Sequence, residues 1–220
     1  QWSSMTAVLL KQLAAITGIR ALGIAETVRD LTDRPTILKD LYSTYRAVIA
    51  PTRVLRNAYL ANGLTVPIHE SRFGVDLPRE PKPARPAGAL IQFGFIGQIA
   101  PHKGTDLLIE AFCRLPRGKA ELHVFGPGDQ NPAYMADLKK MADGSAVSFR
   151  GTFPTKAMAG ILSELDFLVI PSRWYENSPR ILLYALASHT PVIVSDVEGL
   201  TEFVEQGKNG YIFERGSVSD

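Results

Sequence analysis

The chain has 220 residues, is 45% hydrophobic and 21% charged, and carries a net charge of +2. That length allows one large or two small globular domains, and the charge is too small to argue for a nucleic-acid partner. No apolar run approaches the roughly 18 residues of a membrane helix, no signal peptide is read, and the single cysteine, Cys113, excludes an internal disulfide and reads as a buried thiol in a reducing compartment.

The charge is uneven. Residues 1–88 hold 12 Lys and Arg against 7 Asp and Glu, and residues 89–220 hold 12 against 15. The basic surplus at the start could face a membrane surface or an anionic substrate, or be a solvated face, since no dense basic block exists. An opening on Gln1 rather than Met reads as a piece of a longer chain. Residues 3–16 predict a helix capped by Ser3 or Ser4, and residues 18–34 give no clear pattern. Pro35 is expected to start a helix through Tyr45. Arg46 to Ala50 reads as a short strand. Pro51 and Thr52 cap a helix over Arg53 to Ala61, which Asn62-Gly63 ends, and Val66 to Arg72 reads as a strand. Residues 78–88 contain four prolines and cannot form a regular element. The expected layout is a partial N-terminal α/β domain over 1–80, a linker over 81–89 and a second domain over 90–220.

The second domain has a regular rhythm. Strands are predicted at Leu90–Ile96, Glu121–Phe125, Ala146–Phe149, Phe167–Ile170, Val192–Val194 and Tyr211–Phe213. Helices fall between them at Thr105–Leu115, Ala133–Ala142, Lys156–Leu162, Pro179–Ser188 and Leu200–Gln206. This alternation predicts a Rossmann-like parallel sheet with helices on both faces. In such a sheet the loops after the strands share one edge, where helix N-termini aim free N–H groups at anions.

Four of those loops carry candidate residues. FGFIGQIAPHKG (93–104) ends a strand at Gly97, continues through Gln98 and reaches Lys103 before a helix. Glycine admits close backbone approach and lysine neutralises a phosphate, although a tight turn with a surface lysine fits the same stretch, and neither the G-x-x-x-x-G-K-[ST] nor the GxGxxG order is present. Gly126-Pro127-Gly128 could accept the flat face of a base or sugar, or be a structural turn. Glu176, Asn177 and Ser178 precede Pro179: a glutamate to bind sugar hydroxyls and amides to hold a diphosphate, or a helix cap with a dipole-stabilising acid. Val197 to Glu202 repeats the pattern with Gly199, Leu200 and Glu202. Turns of independent origin need not gather Lys, Glu and Gly on one edge, and that convergence points to a site. His69, His102, His123 and His189 lack ligand spacing, so no metal site is expected. No acidic pair reads as a hydrolase couple.

FIGQIAPHKGTDLLIEAF, ELHVFGPG, VSFRG and DFLVIPSRWYENSPRILLYALASHTPVIVSDVEGLTEFVEQGKNGYIF, in that order, resemble the group 1 (family 4) retaining glycosyltransferases of GT-B fold. The likeness spans about residues 42–214 and is strongest over 91–213. It implies two facing Rossmann domains, with a nucleotide-sugar donor bound mainly by the C-terminal one and most of the acceptor-side N-terminal domain missing here. By position, the resemblance assigns Gly97 to backbone approach, Lys103 to the diphosphate and Glu176 to the transferred sugar. Further amides come from Asn177 to Pro179 and from Gly199-Leu200, and Gly151 to Phe153 flank the base. Glu202 matches the glutamate of the family's Gly-x-x-Glu segment. Two positions depart from the pattern. Gln98 stands where the family usually has Arg, and Tyr184 stands where it has a second Glu that accepts the ribose hydroxyls. The implied partners are a nucleoside diphosphate sugar and a glycan or lipid-linked acceptor. No metal or other cofactor is implied, and the implied setting is cytoplasmic or peripheral to a membrane. A scaffold domain with a degenerate donor site, or a GT-B nucleotide-sugar epimerase, are the alternatives.

Overall fold

The structure is a computed structural model that describes residues 24–76, 82 and 84–220. The helix expected over 3–16 lies outside them. The described residues fall into two compact units, one of 24–50 with 56–70, the other of 51–55 with those from 71 onward.

The smaller unit holds helix α1 (Ile24–Ser43), strand β1 (Val48–Ala50), most of helix α2 (Arg53–Ala61) and strand β2 (Ile68–Glu70), with β1 and β2 parallel. Helix α2 has the predicted bounds. Thr52 Oγ1 accepts the Leu55 amide at 3.1 Å, and Gly63 closes the far end at φ 81°. Pro35 was expected to begin a helix but lies inside α1. A proline removes one backbone donor, and α1 continues through that loss on both sides.

The larger unit is built on a parallel sheet of β3 (Ile91–Ile96), β4 (Ala120–Phe125), β5 (Val147–Gly151), β6 (Phe167–Ile170), β7 (Val192–Ser195) and β8 (Gly210–Phe213), in the order β5-β4-β3-β6-β7-β8. The helices are α3 (Thr105–Cys113), α4 (Pro132–Met141), α5 (Met158–Glu164) and α6 (Arg180–Ala187). Alternate strand residues feed two apolar layers. Leu168 and Ile170 join Leu162, Leu182 and Val194 on one side, while Val169 joins Ile109, Phe112, Leu122 and Leu138 on the other. Each of the fully buried leucines contributes roughly 2 kcal/mol by leaving water. Gly94 is in mid-strand because a Cβ there would run into Leu165.

Chain order departs from β3 in one direction and from β6 in the other, so the strand order reverses between these two neighbours. Their pairing is short: Phe93 faces Phe167 and Gly94 faces Leu168, whereas β3 and β4 pair from Ile91 to Ile96.

Three expectations are corrected here. The helix predicted over Leu200 to Gln206 is a single 3-10 turn, Thr201–Phe203. The Asn209 side chain accepts the Glu205 amide at 2.8 Å and donates to the Phe203 carbonyl at 3.0 Å, taking groups that a continuing helix would have used. Pro179 is the N-cap of α6 rather than a residue of its first turn. Cys113 is exposed, not buried, because Leu108, Ile109 and Phe112 occupy the inward face of α3.

Candidate functional site

A crevice beside the point where strand order reverses, at the carboxyl ends of the strands, is where open α/β sheets bind ligands. The loop after β3 and the loop after β6 flank that point. The first turns through a 3-10 segment, Pro101–Lys103, and enters α3 at Gly104. Gly104 lies at φ 72°, and a Cβ there would overlap the Pro171 carbonyl, so the two loops touch through backbone. That approach lets Lys103 Nζ meet Glu176 Oε1 at 2.6 Å, across 73 residues of sequence.

Glu176 is held from several sides. Ser172 Oγ donates to the same Oε1 at 2.6 Å, and the Ser172 carbonyl accepts Ser195 Oγ at 2.6 Å, which ties the loop to the end of β7. The Glu176 amide donates to the Glu198 carbonyl at 3.0 Å. Gly199, at φ 88°, packs so closely on the Glu176 carbonyl that a side chain has no room. Oε2 of Glu176 accepts from no group among the described residues, and Lys103 keeps two of its three ammonium donors.

The amides sort into two sets. Gly97 donates to Phe125 at 3.0 Å, Gly126 to Gly151 at 2.8 Å and Leu200 to Val197 at 3.2 Å. All three amides are spent on fastening the edge; of these residues only Leu200 was expected to offer its amide to a ligand, whereas Gly97 was expected to allow backbone approach and Gly126 to face a base or sugar. A side chain at Leu200 is also fully buried in the core. The amides of Asn177, Ser178 and Gly199 donate to no group among the described residues. Ser178 takes φ 57°, unusual for a residue with a side chain. Its hydroxyl, like that of Thr105 at the start of α3, is buried without a partner among the described residues.

The remaining candidates spread around this centre. Gln98 bonds through its side-chain amide to Gln130. Phe153 sits edge-on to Phe125 at 5.5 Å. Gly126, Gly128 and Gly151 line a shallow cavity of about 450 Å³ with Ile99 and Met135. Tyr184 packs against the apolar layer of α5 and α6. Glu202 accepts the Arg53 amide at 3.1 Å through Oε2.

Sequence reading missed a cluster beside Lys103. Arg173 forms a two-pronged pair with Asp106 at 2.7 and 2.9 Å, and the Tyr134 hydroxyl donates to Asp106 Oδ1 at 2.8 Å. Burial alone would raise the Asp106 carboxyl, but the Arg173 fork and the Tyr134 hydroxyl outweigh it and hold it below the ordinary carboxylate range. Burial, with the carboxylate beside it, pushes the Tyr134 hydroxyl up to about 12. Asp106 lies in the first turn of α3, and nothing in sequence spacing links it to Arg173. Ser172 and Ser195 were likewise silent.

The fold is that of GT-B glycosyltransferases. Anabaena HepE, solved in complex with UDP and glucose, superposes with a TM-score of 0.72 at 19% identity, over 84% of this chain and 54% of that one. The lipopolysaccharide outer core galactosyltransferase WaaB in its apo form gives a TM-score of 0.70 at 17% identity, over 96% and 66%. Residues 91–220 match the profile described as glycosyl transferases group 1, and the chain belongs to that family. Among its curated relatives, granule-bound starch synthase 1 of Pisum sativum is 31% identical over 119 residues, 54% of this chain and 19% of that protein. D-inositol 3-phosphate glycosyltransferase of Mycolicibacterium smegmatis is 29% identical over 130 residues, 57% and 30%. The chain thus spans less than a third of either relative's length.

Proposed function

We propose that this protein transfers a sugar from a nucleoside diphosphate sugar to an acceptor hydroxyl with retention, and that the present chain carries mainly the donor-binding half. The observation that carries the reading is the meeting of Lys103 and Glu176 where the strand order reverses, next to unspent amides at Asn177, Ser178 and Gly199. In this reading the two remaining Lys103 donors and those amides take the diphosphate, and Glu176 Oε2 accepts from a hydroxyl of the sugar. Negative charge grows on the departing diphosphate, and fixed donors aimed at it lower the barrier without reorganising. That charge is met by Lys103 and amides rather than by a metal, so transfer should persist in EDTA. The acceptor is a glycan or lipid-linked hydroxyl, met in the cytoplasm or where the basic surplus of residues 1–88 rests on an anionic membrane. No helix of the described residues is long and apolar enough to cross a membrane.

Lys103→Ala and Glu176→Ala in the intact protein should each lower transfer at least ~10-fold, as expected for losing one charged contact of about 1.5–3 kcal/mol. Wild-type turnover in either variant would refute the roles assigned.

A second reading, a nucleotide-sugar-binding domain without transfer activity, is favoured by Gln98 being tied to Gln130 and by Tyr184 lying against apolar side chains. Product analysis separates the two. Transfer to an acceptor supports the first, binding without turnover supports the second, and free nucleotide released without any acceptor points to an epimerase.

A further inference from the structure

We infer that Arg173, Asp106 and Tyr134 form a clamp that sets Lys103 in register with Glu176, an assignment resting on the donor-site reading above. Arg173 lies on the Glu176 loop, three residues before the carboxylate. Its amide donates to the His102 carbonyl at 2.9 Å and its Nη1 to the Pro101 carbonyl at 3.1 Å, so both backbone and side chain grip the turn that carries Lys103. The same guanidinium reaches over to Asp106 in the first turn of α3. The Tyr134 hydroxyl donates to that carboxylate and accepts the Asp106 amide at 3.2 Å. Tyr134 is itself placed by the Asn131 cap of α4, just beyond the Gly126 to Gly128 turn. Three loops of the carboxyl edge therefore meet at one carboxylate. The planar fork of arginine is what allows two carboxylate contacts and a carbonyl contact at once, and a lysine cannot reproduce it. None of the three residues needs to touch a donor: they are positioning residues whose effect passes through Lys103.

The test is titration calorimetry of UDP and GDP into the intact protein. Arg173→Gln should weaken nucleotide binding roughly tenfold, the size of one misplaced charge-assisted contact, and Arg173→Lys should not restore it. Combined with Lys103→Ala, Arg173→Gln should add little further loss, because residues acting through one another are not additive. Tyr134→Phe, which removes a single hydroxyl, should weaken binding a few-fold in the wild-type background and not in Lys103→Ala. Losses that multiply in the double variant, or unchanged affinity in Arg173→Gln, overturn the clamp while leaving the donor site standing. A wild-type protein that binds neither these two nor any other nucleoside diphosphate overturns the donor reading and the clamp together.

Discussion

Replacing Gly199 with alanine should damage the molecule in a way that a similar change at Gly207 does not. Both glycines have left-handed backbone, at φ 88° and 75°, so alanine at either carries a cost of about 1–2 kcal/mol. At Gly207 a Cβ would meet nothing within 4 Å. At Gly199 it would overlap the Glu176 carbonyl oxygen and stand 2.5 Å from its carbon and 3.3 Å from its Cα. Those are backbone atoms, fixed by the bond from the Glu176 amide to Glu198, so the loop must move, at about 1–3 kcal/mol for overpacking. Alanine also narrows the unfolded ensemble, worth about 0.4–1 kcal/mol, equally at both sites. The difference between the variants is therefore about 1–3 kcal/mol, or roughly 2–12 °C in melting temperature for a chain of this size. Thermal and urea unfolding would read it, and nucleotide titration should show weaker binding only for Gly199→Ala. Equal destabilisation of the two variants would refute the claim that Gly199 is selected by contact with Glu176.

Gln98→Arg would place a cation one residue after Gly97, and nucleoside diphosphate affinity should rise up to roughly tenfold, a gain of about 1.4 kcal/mol; unchanged or weaker binding by calorimetry would place residue 98 away from the anion. His123 bonds to Ser148 at 2.8 Å and Gln92 at 2.7 Å, with Arg150 at 3.4 Å and Glu121 at 3.8 Å beside it. Burial first, and Arg150 second, lower its pKa, against the weaker pull of Glu121 and Glu164. The unfolded chain then binds the proton more readily, so the stability His123 contributes is present above its ordinary value of about 6.5 and is lost as pH falls below it. His123→Gln keeps hydrogen-bonding capacity and should flatten that slope in urea midpoints taken between about pH 5 and about pH 8, where histidine titrates; an unaltered slope would acquit His123.

Much of the larger unit could be read from local pattern. Phe167–Ile170 is a short branched apolar run, and its strand has the predicted bounds. Helix α2 was equally legible because its cap and terminator lie next to it in sequence. The failures have different causes. Whether Leu200 begins a helix depends on the Asn209 side chain, which takes the groups a continuing helix would use, whereas Pro35 lies inside a helix whose first half, residues 24–34, gave no clear pattern. The site divides in the same way. Lys103 and Glu176 were legible as loop residues after parallel strands, because topology alone brings such loops to one edge. The clamp of Arg173, Asp106 and Tyr134 was not, since side chains 28 and 67 residues apart leave no periodic trace. Nor could spacing tell which amides are spent internally, as with Gly97 and Leu200, and which are left open, as with Ser178.

The brief ladder between β3 and β6 has a mechanical meaning. It divides the sheet into two halves that are each continuous in sequence, 91–151 and 167–213, so each can assemble from local hairpin-free crossovers before the two dock. The seam is fastened by two residue pairs, at its amino end by the mutual bonds of Gln92 and Asp166, and at its carboxyl end by the loops that hold Lys103 and Glu176. A ligand held by those loops would thus rivet the two halves, and amide exchange along β3 and β6 should slow together when it is bound.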